Sequence, residues 1–531
     1  MRWAFLLLPL LLAFLHPLGV AGTPSDTGPP IVSGPLLTPP NPEVYAAMPF
    51  VLPPPEGPLF VTPAQSTEKV LAIFVDFQDV AGSRTPEDVG EIIFSQAPGT
   101  PSIHSFYAEN SYGRTSVVGS TTNQWYRSSQ DMDYYGSDTG DGIDDANVPI
   151  YCLVVEAVRA ADPDVDFTQY DTDLDGEVDH LIVVHAGNGQ EGSTNSNLIW
   201  SHHWAIIDPR SCLGESSASL QVDGVQVREY LMAAETSPIG VFVHEFGHDF
   251  DLPDLYDTTG QTEGIGEWGV MGTGSWNGPI GDRGSIPAQF TAWSKAQLGW
   301  LELTVVADAL VPASIPALAT APVAFKLPVK ESFRGEEYFI VENRQPTGFD
   351  VGLPGSGLLI WHVDETFRDN NNPNRRLLDL EEADDGRGTF WADNPTQVSD
   401  PWSNDPLGFT PETVPNSADN TGARTGWKVS GISPSGPVME ANLSIGVAID
   451  VMVLDITRPS FVPLDQNVSL GVTVVNRGLT NVTDGTLVLD IFLDDYNLTA
   501  RVWTDQRALP FLTVGTTLLL PFNFTPTQTG T

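Results

Sequence analysis

HEFGHDFDLPD, residues 244–254, decides how this chain reads. On a helix, His244 and His248 stand one turn apart on one face, so both imidazoles can reach a single metal ion. Glu245 lies between them, too far round the helix to ligate with them but placed to hold a water as general base. This is the HExxH pattern of zinc sites that hydrolyse peptide bonds. The preceding run Ile239–Val243 is apolar, as a buried active-site helix requires, and Pro238 suits its first turn. The rival reading is a helix with two ordinary histidines, and the residues that follow count against it.

An open catalytic zinc site needs a third protein ligand. Metzincin peptidases supply it by breaking the helix at a glycine and turning back to a His or an Asp. Asp254 occupies the position of that last ligand, and Pro253 enforces the break. The glycine position is Asp251, a departure the turn tolerates because Asp enters the left-handed backbone region more readily than most residues. Gly269–Val270–Met271–Gly272 looks like the Met-turn that floors such sites. Many metzincins place a tyrosine two residues after that methionine; here the position is Thr273, which leaves a second oxyanion stabiliser unassigned. In a competing scheme a Glu from a later helix completes the site, and Glu263 and Glu267 are the nearby candidates. Both lie in the Gly-rich stretch 260–274, poor helix by composition, so Asp254 is the preferred ligand.

Several stretches together resemble one family, the secreted immune inhibitor A-type metallopeptidases. They begin with VLAIFVDFQD (70–79), SFYAENSYGRTSVVG (105–119), DTDLDGEVDHLIVVHAGNGQE (171–191) and LIWSHHW (198–204). After the metal motif come VMGTGSWNG (270–278), EYFIVENRQ (337–345), GLLIWHVDE (357–365) and LDLEEADDG (378–386). The resemblance extends from Lys69 to Ile445. It implies a zinc endopeptidase, secreted as a zymogen and acting on proteins outside the cell. It does not fix the substrate.

At 531 residues the chain has room for several domains. A formal charge of −44 argues against nucleic acid or an anionic membrane as partner. Residues 1–21 read as a signal peptide: Arg2, the apolar run Trp3–Leu15, and the small residues Gly19–Val20–Ala21. A retained N-terminal anchor is the alternative, and no later segment is long and apolar enough to span a bilayer. Residues 22–66 are crowded with proline and read as a pro-segment or linker. They hold no cysteine, so latency through a thiolate on the zinc is excluded. Cys152 and Cys212 fit one disulfide, with two buried thiols as the alternative.

Residues 67–303 read as the metallopeptidase domain, with strands over Val70–Phe77, His180–His185 and Asn197–His203 and a helix over Ile150–Ala161. The third strand is a candidate edge against which a substrate peptide would pair. His202 and His203 read as a polar strand end near the cleft rather than as site residues. Asp171, Asp173, Asp175 and Asp179, with Gly176 at the turn, look like a calcium loop, although Ile182 stands where an EF-hand has its bidentate Glu. The alternative is an acidic surface turn. The run Asp379, Glu381, Glu382, Asp384, Asp385 is a weaker acidic signal, compatible with a solvated face.

Residues 304–446 read as a β-rich accessory domain, with strands over Ala324–Leu327, Tyr338–Asn343 and Gly357–Val363. Residues 447–531 alternate at the spacing of a β-sandwich and resemble immunoglobulin-like modules, with sequons at Asn442, Asn467, Asn481, Asn497 and Asn523 across this end. The chain stops at Thr531 within the last runs, so a surface anchor in a missing C-terminal part is compatible with the sequence. The expected fold is therefore multidomain: an α/β (α+β) metzincin-like zinc peptidase domain, a β-rich accessory domain and an immunoglobulin-like β-sandwich. The expected function is secreted zinc metalloendopeptidase with protein or peptide substrates. The rival is a non-catalytic, calcium-stabilised extracellular binding protein that kept the fold.

Overall fold

The computed structural model describes residues 66–139, 144–193, 195–306, 310–329, 336–384, 396–446, 451–457, 459, 464–476, 481–492, 501–513 and 516–526. The signal peptide, all of the proline-rich segment but Ser66, and the positions Asp385 and Asn497 lie outside the described residues.

The apolar run from Val70 becomes β1 (Ser66–Asp76), buried at every residue from Val70 onward. A strand without an exposed face belongs at the centre of a parallel sheet covered on both sides. β2 (Thr115–Arg127) and β3 (Leu181–His185) flank it, both parallel. β4 (His202–Ala205), the hairpin β5 (Leu220–Val222) and β6 (Val225–Val227), and β7 (Glu229–Ala234) follow. The sheet runs β2-β1-β3-β7-β4; β7 is parallel to β3, and β4 is the antiparallel edge.

Alternate residues of β1 feed two cores. Val70, Ala72 and Phe74 pack with α1 (Pro86–Phe94), α2 (Ile103–Asn110) and the metal-motif helix. Leu71, Ile73 and Val75 pack on the other face with α3 (Met132–Gly136) and α4 (Tyr151–Ala161). Capping boxes at Thr85 and Ser102 start α1 and α2. Cys152 on α4 is disulfide-bonded to Cys212, with Cα atoms 5.2 Å apart across a sequence separation of 60. Closing a loop of that length is worth about 4 kcal/mol in the chain-entropy account.

The strand expected over Asn197–His203 begins only at His202. Ahead of it the backbone is already engaged: Gln190 N donates to Ile199 O (2.9 Å), and Trp200 N donates to Asp144 Oδ2 (2.8 Å). Those partners are not a neighbouring strand, so the segment turns instead of pairing.

After α5 (Ile239–His248) and α6 (Ala292–Gln297) the chain becomes β-rich. β8 (Thr304–Val305), β9 (Leu310–Pro316), β10 (Phe325–Pro328), β11 (Glu337–Arg344), β12 (Gly357–Asp364), β13 (Leu378–Leu380), β14 (Trp427–Ser430) and β15 (Val438–Ile445) make two sheets, ordered β13-β12-β11-β10-β8 and β14-β15-β9. β11 and β12 again divide their side chains by period two. Tyr338, Ile340, Leu359 and Trp361 enter the core that holds α5, while Phe339, Val341, Leu358 and Ile360 face β9 and β15. A buried ionic knot ties the same seam. Arg344 donates to Asp350 and to Trp268 O (2.8 Å), and Glu342 accepts from Ala292 N (2.8 Å).

The last strands are β16 (Val451–Thr457), β17 (Val468–Asn476), β18 (Gly485–Phe492), β19 (Arg501–Leu509) and β20 (Thr517–Phe524). They form sheets β16-β17-β20 and β18-β19, whose inward residues Val472, Val474, Phe522 and Leu509 share one core. Asn442, Asn467, Asn481 and Asn523 are exposed. Among the described residues no helix is long and apolar enough to cross a membrane.

Candidate metal centre

α5 carries the metal motif, and its residues from Ile239 to Gly247 are all buried. The helix ends at Asp249, and Asp251 then takes φ +62°, the left-handed step that lets the chain turn back. The return brings Asp254 over the two histidines. Its Oδ1 lies 3.2 Å from His244 Nε2 and 3.3 Å from His248 Nε2. Ligand atoms about 2.0–2.1 Å from a tetrahedral zinc stand about 3.3 Å from one another. Asp254 Oδ1 therefore stands from each histidine nitrogen at the spacing that such an ion requires.

Each imidazole is also held from behind. His244 Nδ1 lies 2.7 Å from Val270 O, and His248 Nδ1 lies 2.7 Å from Leu252 O. A carbonyl accepts from Nδ1–H, which fixes the tautomer and leaves the Nε2 lone pair for a metal. The Glu245 carboxylate comes within 4.8 Å of both imidazoles. Burial pushes its pKa up against the lowering pull of His244 and His248, toward the range where a carboxylate serves as a general base.

The helix rests on the 269–276 turn with little between them. A Cβ at Gly240 would overlap the Ser275 carbonyl oxygen, and one at Gly247 would come 2.6 Å from Met271 Sδ. Met271 is buried beneath the site, and its carbonyl accepts from Leu255 N (2.8 Å) just past Asp254. Glu267 instead lies 3.6 Å from Arg283.

Residues 85–301 match the family model described as immune inhibitor A peptidase M6, catalytic domain. This region is similar to that catalytic domain. The Pre-pro-metalloprotease PrtV of Vibrio cholerae serotype O1 (strain M66-2) is 30% identical over 272 residues, 43% of this chain and 29% of that protein. Immune inhibitor A of Bacillus thuringiensis subsp. alesti is 34% identical over 212 residues, 36% of this chain and 30% of that one. The aligned part thus spans about three-tenths of the length of these relatives. These matches agree with the resemblance to immune inhibitor A-type metallopeptidases drawn from the residues.

The same region adds groups that sequence reasoning missed. Asp249 lies 3.0 Å from His180 Nδ1 and 2.7 Å from His203 Nε2. His203 sits on edge strand β4 with its ring 6.2 Å from that of His248. Burial alone would discharge His180, but Asp249 and Glu68 override it and raise its pKa to about 10. His202 points elsewhere, toward Trp200 O (2.7 Å) and Tyr230 OH (3.1 Å), and burial pushes its pKa down to about 4. Tyr256 stacks on His244 at 6.0 Å between centroids. Buried Glu235 accepts from the backbone N–H groups of Ser83, Arg84 and Gly187, pinning the loop beside β3. The adjacency of Asp249 to the motif and the placing of His202 and His203 near the cleft are the signals the sequence held for these groups. Their partners come from distant segments.

The acidic loop after α4 brings Asp171, Asp173 and Asp179 within 4.8 Å of one another. Asp175 is turned to the backbone, accepting from Glu177 N (2.8 Å), while Gly176 takes φ +93°. The second acidic run is largely engaged. Glu381 lies 3.3 Å from His362 Nδ1, Asp379 pairs with Arg376, and Ser399 donates to Asp384.

Proposed function

We propose that this protein is a secreted zinc-dependent metalloendopeptidase. The observation that carries the reading is the approach of Asp254 Oδ1 to both His244 Nε2 and His248 Nε2, at 3.2 and 3.3 Å, beside the buried Glu245 carboxylate. His244, His248 and Asp254 hold the zinc. When bound, the ion lowers the pKa of a water toward about 7 and polarises the scissile carbonyl. Glu245 accepts the proton of the attacking water and returns it to the leaving amine. Val270 O and Leu252 O keep the two imidazoles from rotating. The open, antiparallel edge of β4 offers backbone groups with which an extended peptide can pair.

The finer readings belong to the same proposal. Residues 1–21 direct export, and 22–66 form a pro-segment or linker; without a cysteine in that stretch, any latency it gives uses another ligand or steric cover rather than a thiolate. The peptidase domain (67–303) is metzincin-like, Met271 lies on its Met-turn, residues 304–446 are its β-rich accessory part, and 447–531 form an immunoglobulin-like module. Asp171, Asp173 and Asp179 hold a structural calcium, with Asp175 shaping the loop.

Zinc content and proteolysis, measured together, test the assignment. Glu245→Ala should keep its zinc and lose proteolysis by at least a hundredfold, since the ligands survive and the base does not. Asp254→Ala should lose the zinc, whereas Glu263→Ala and Glu267→Ala should keep it. Near-normal turnover by Glu245→Ala, or zinc lost through either Glu substitution, would sink the scheme.

A further inference from the structure

Asp138 and Asp144, between α3 and α4, and Gln190, beyond β3, carry three side-chain oxygens that no hydrogen bond satisfies. Asp144 is 5% exposed and Gln190 7%. Gln190 Nε2 donates to Asp138 Oδ2 (2.9 Å), and Trp200 N donates to Asp144 Oδ2 (2.8 Å). The other oxygens of the same groups, Asp138 Oδ1, Asp144 Oδ1 and Gln190 Oε1, are shielded from solvent and have no hydrogen-bond partner. The two carboxyl groups lie within hydrogen-bonding reach of each other, although both oxygens there are acceptors. The charged groups that act on Asp144 are both acidic, Asp138 and Glu191. Glu191 is already committed to Ser201 and Ser237.

Buried acceptors are normally satisfied, so three orphans in one place call for a common partner. A shell of carboxylate and amide oxygens without donors suits a hard divalent cation. Its irregular, mixed composition suits calcium better than magnesium, which keeps a strict octahedron and several waters. We infer that Asp138, Asp144 and Gln190 form a calcium site, separate from the zinc ligands and from the Asp171–Asp179 loop. Burial first, then the neighbouring acids, pushes the Asp144 pKa up to about 9, which is the cost a bound cation would remove.

The position gives the site a consequence. Asp138 N donates to Ser196 O (3.1 Å) and Gln190 N to Ile199 O (2.9 Å), so the cage grips the segment that runs into β4 and His203. Calcium bound there would stiffen the edge strand at the cleft from its N-terminal side.

Calcium binding to the zinc-loaded full chain, counted by equilibrium dialysis after removal of calcium with EGTA, tests the inference without reference to proteolysis. Asp171→Asn plus Asp173→Asn should leave one bound equivalent on the chain, and adding Asp138→Asn plus Asp144→Asn should remove it. Gln190→Leu, which adds no charge, should weaken that equivalent at least tenfold while the zinc content stays whole. No calcium remaining in the Asp171/Asp173 variant would overturn the site even if the cage variants failed to fold. So would a cage variant that melts higher in EGTA and keeps the full calcium count, because the carboxyl groups would then be sharing a proton.

Discussion

Asp251 is where the sequence pattern and the geometry meet at the level of one residue. The position belongs to glycine in the HExxHxxGxxD pattern, yet an aspartate here holds φ +62°. A left-handed backbone costs most L-residues about 1–2 kcal/mol and Asp less. Asp251→Gly should therefore change stability by no more than about 1 kcal/mol and keep zinc, while Asp251→Val should lose about 1–2 kcal/mol or more. Chemical denaturation with zinc content measured alongside checks both; a harmless valine would mean that the turn does not need this conformation. At this scale the site was legible because its parts are contiguous. His244, Glu245, His248 and Asp254 lie within one short stretch whose spacing has a geometric meaning. His203, Asp249 and His180 were not legible as a set, since nothing in the spacing of 180, 203 and 249 shows that they meet.

Elements were readable wherever burial imposed a period. β1, β3, β11 and β12 coincide closely with apolar runs because both their faces are covered. The stretch 197–201 misled for the converse reason: its apolar residues are buried, but its backbone bonds to Asp144 and Gln190 rather than to a strand. β12 carries a titratable element of its own. His362 stands 2.9 Å from Glu337 and 3.3 Å from Glu381. Burial would lower its pKa, but the two carboxylates win and raise it to about 10. A histidine near 6.5 in the unfolded chain and near 10 in the folded one gives stability in full below pH about 6.5, and loses it as pH rises toward 10. Melting temperatures between pH 6 and 10 should fall more steeply for the wild type than for His362→Gln. Parallel curves would show that the imidazole carries no charge there.

On the scale of the molecule, the peptidase core and the β-rich part are one hydrophobic body. The cluster containing Val70 and Phe246 also contains Trp361 and Leu380, and Arg344 is wholly buried between Asp350 and Glu342. Removing one partner from such a pair leaves unbalanced charge in the interior and costs about 3–5 kcal/mol. Arg344→Ala should lower by that amount a single calorimetric transition spanning residues 66–446. Among the described residues the core of β16–β20 draws none from the rest, and it should melt separately. Two transitions within 66–446, with Arg344→Ala moving only the later-chain one, would contradict a shared core. None of this joining was legible in the sequence, because a core shared across a seam leaves the same alternation in each strand as two separate cores would.

Gly240 and Gly247 stand two helical turns apart, on the side of α5 that rests against Ser275 and Met271. They set the seating depth of the helix like shims of zero thickness. In a free helix, exchanging glycine for alanine is favourable by about 0.8–1.0 kcal/mol. Here the usual stabilising substitution should reverse its sign. Gly240→Ala would push the first turn of α5 off the Ser275 carbonyl and tilt the helix that carries His244 and His248, so zinc should be lost from a protein that still has His244, His248 and Asp254. An engineer who ranks mutations by helix propensity alone would choose this one early, and it would fail.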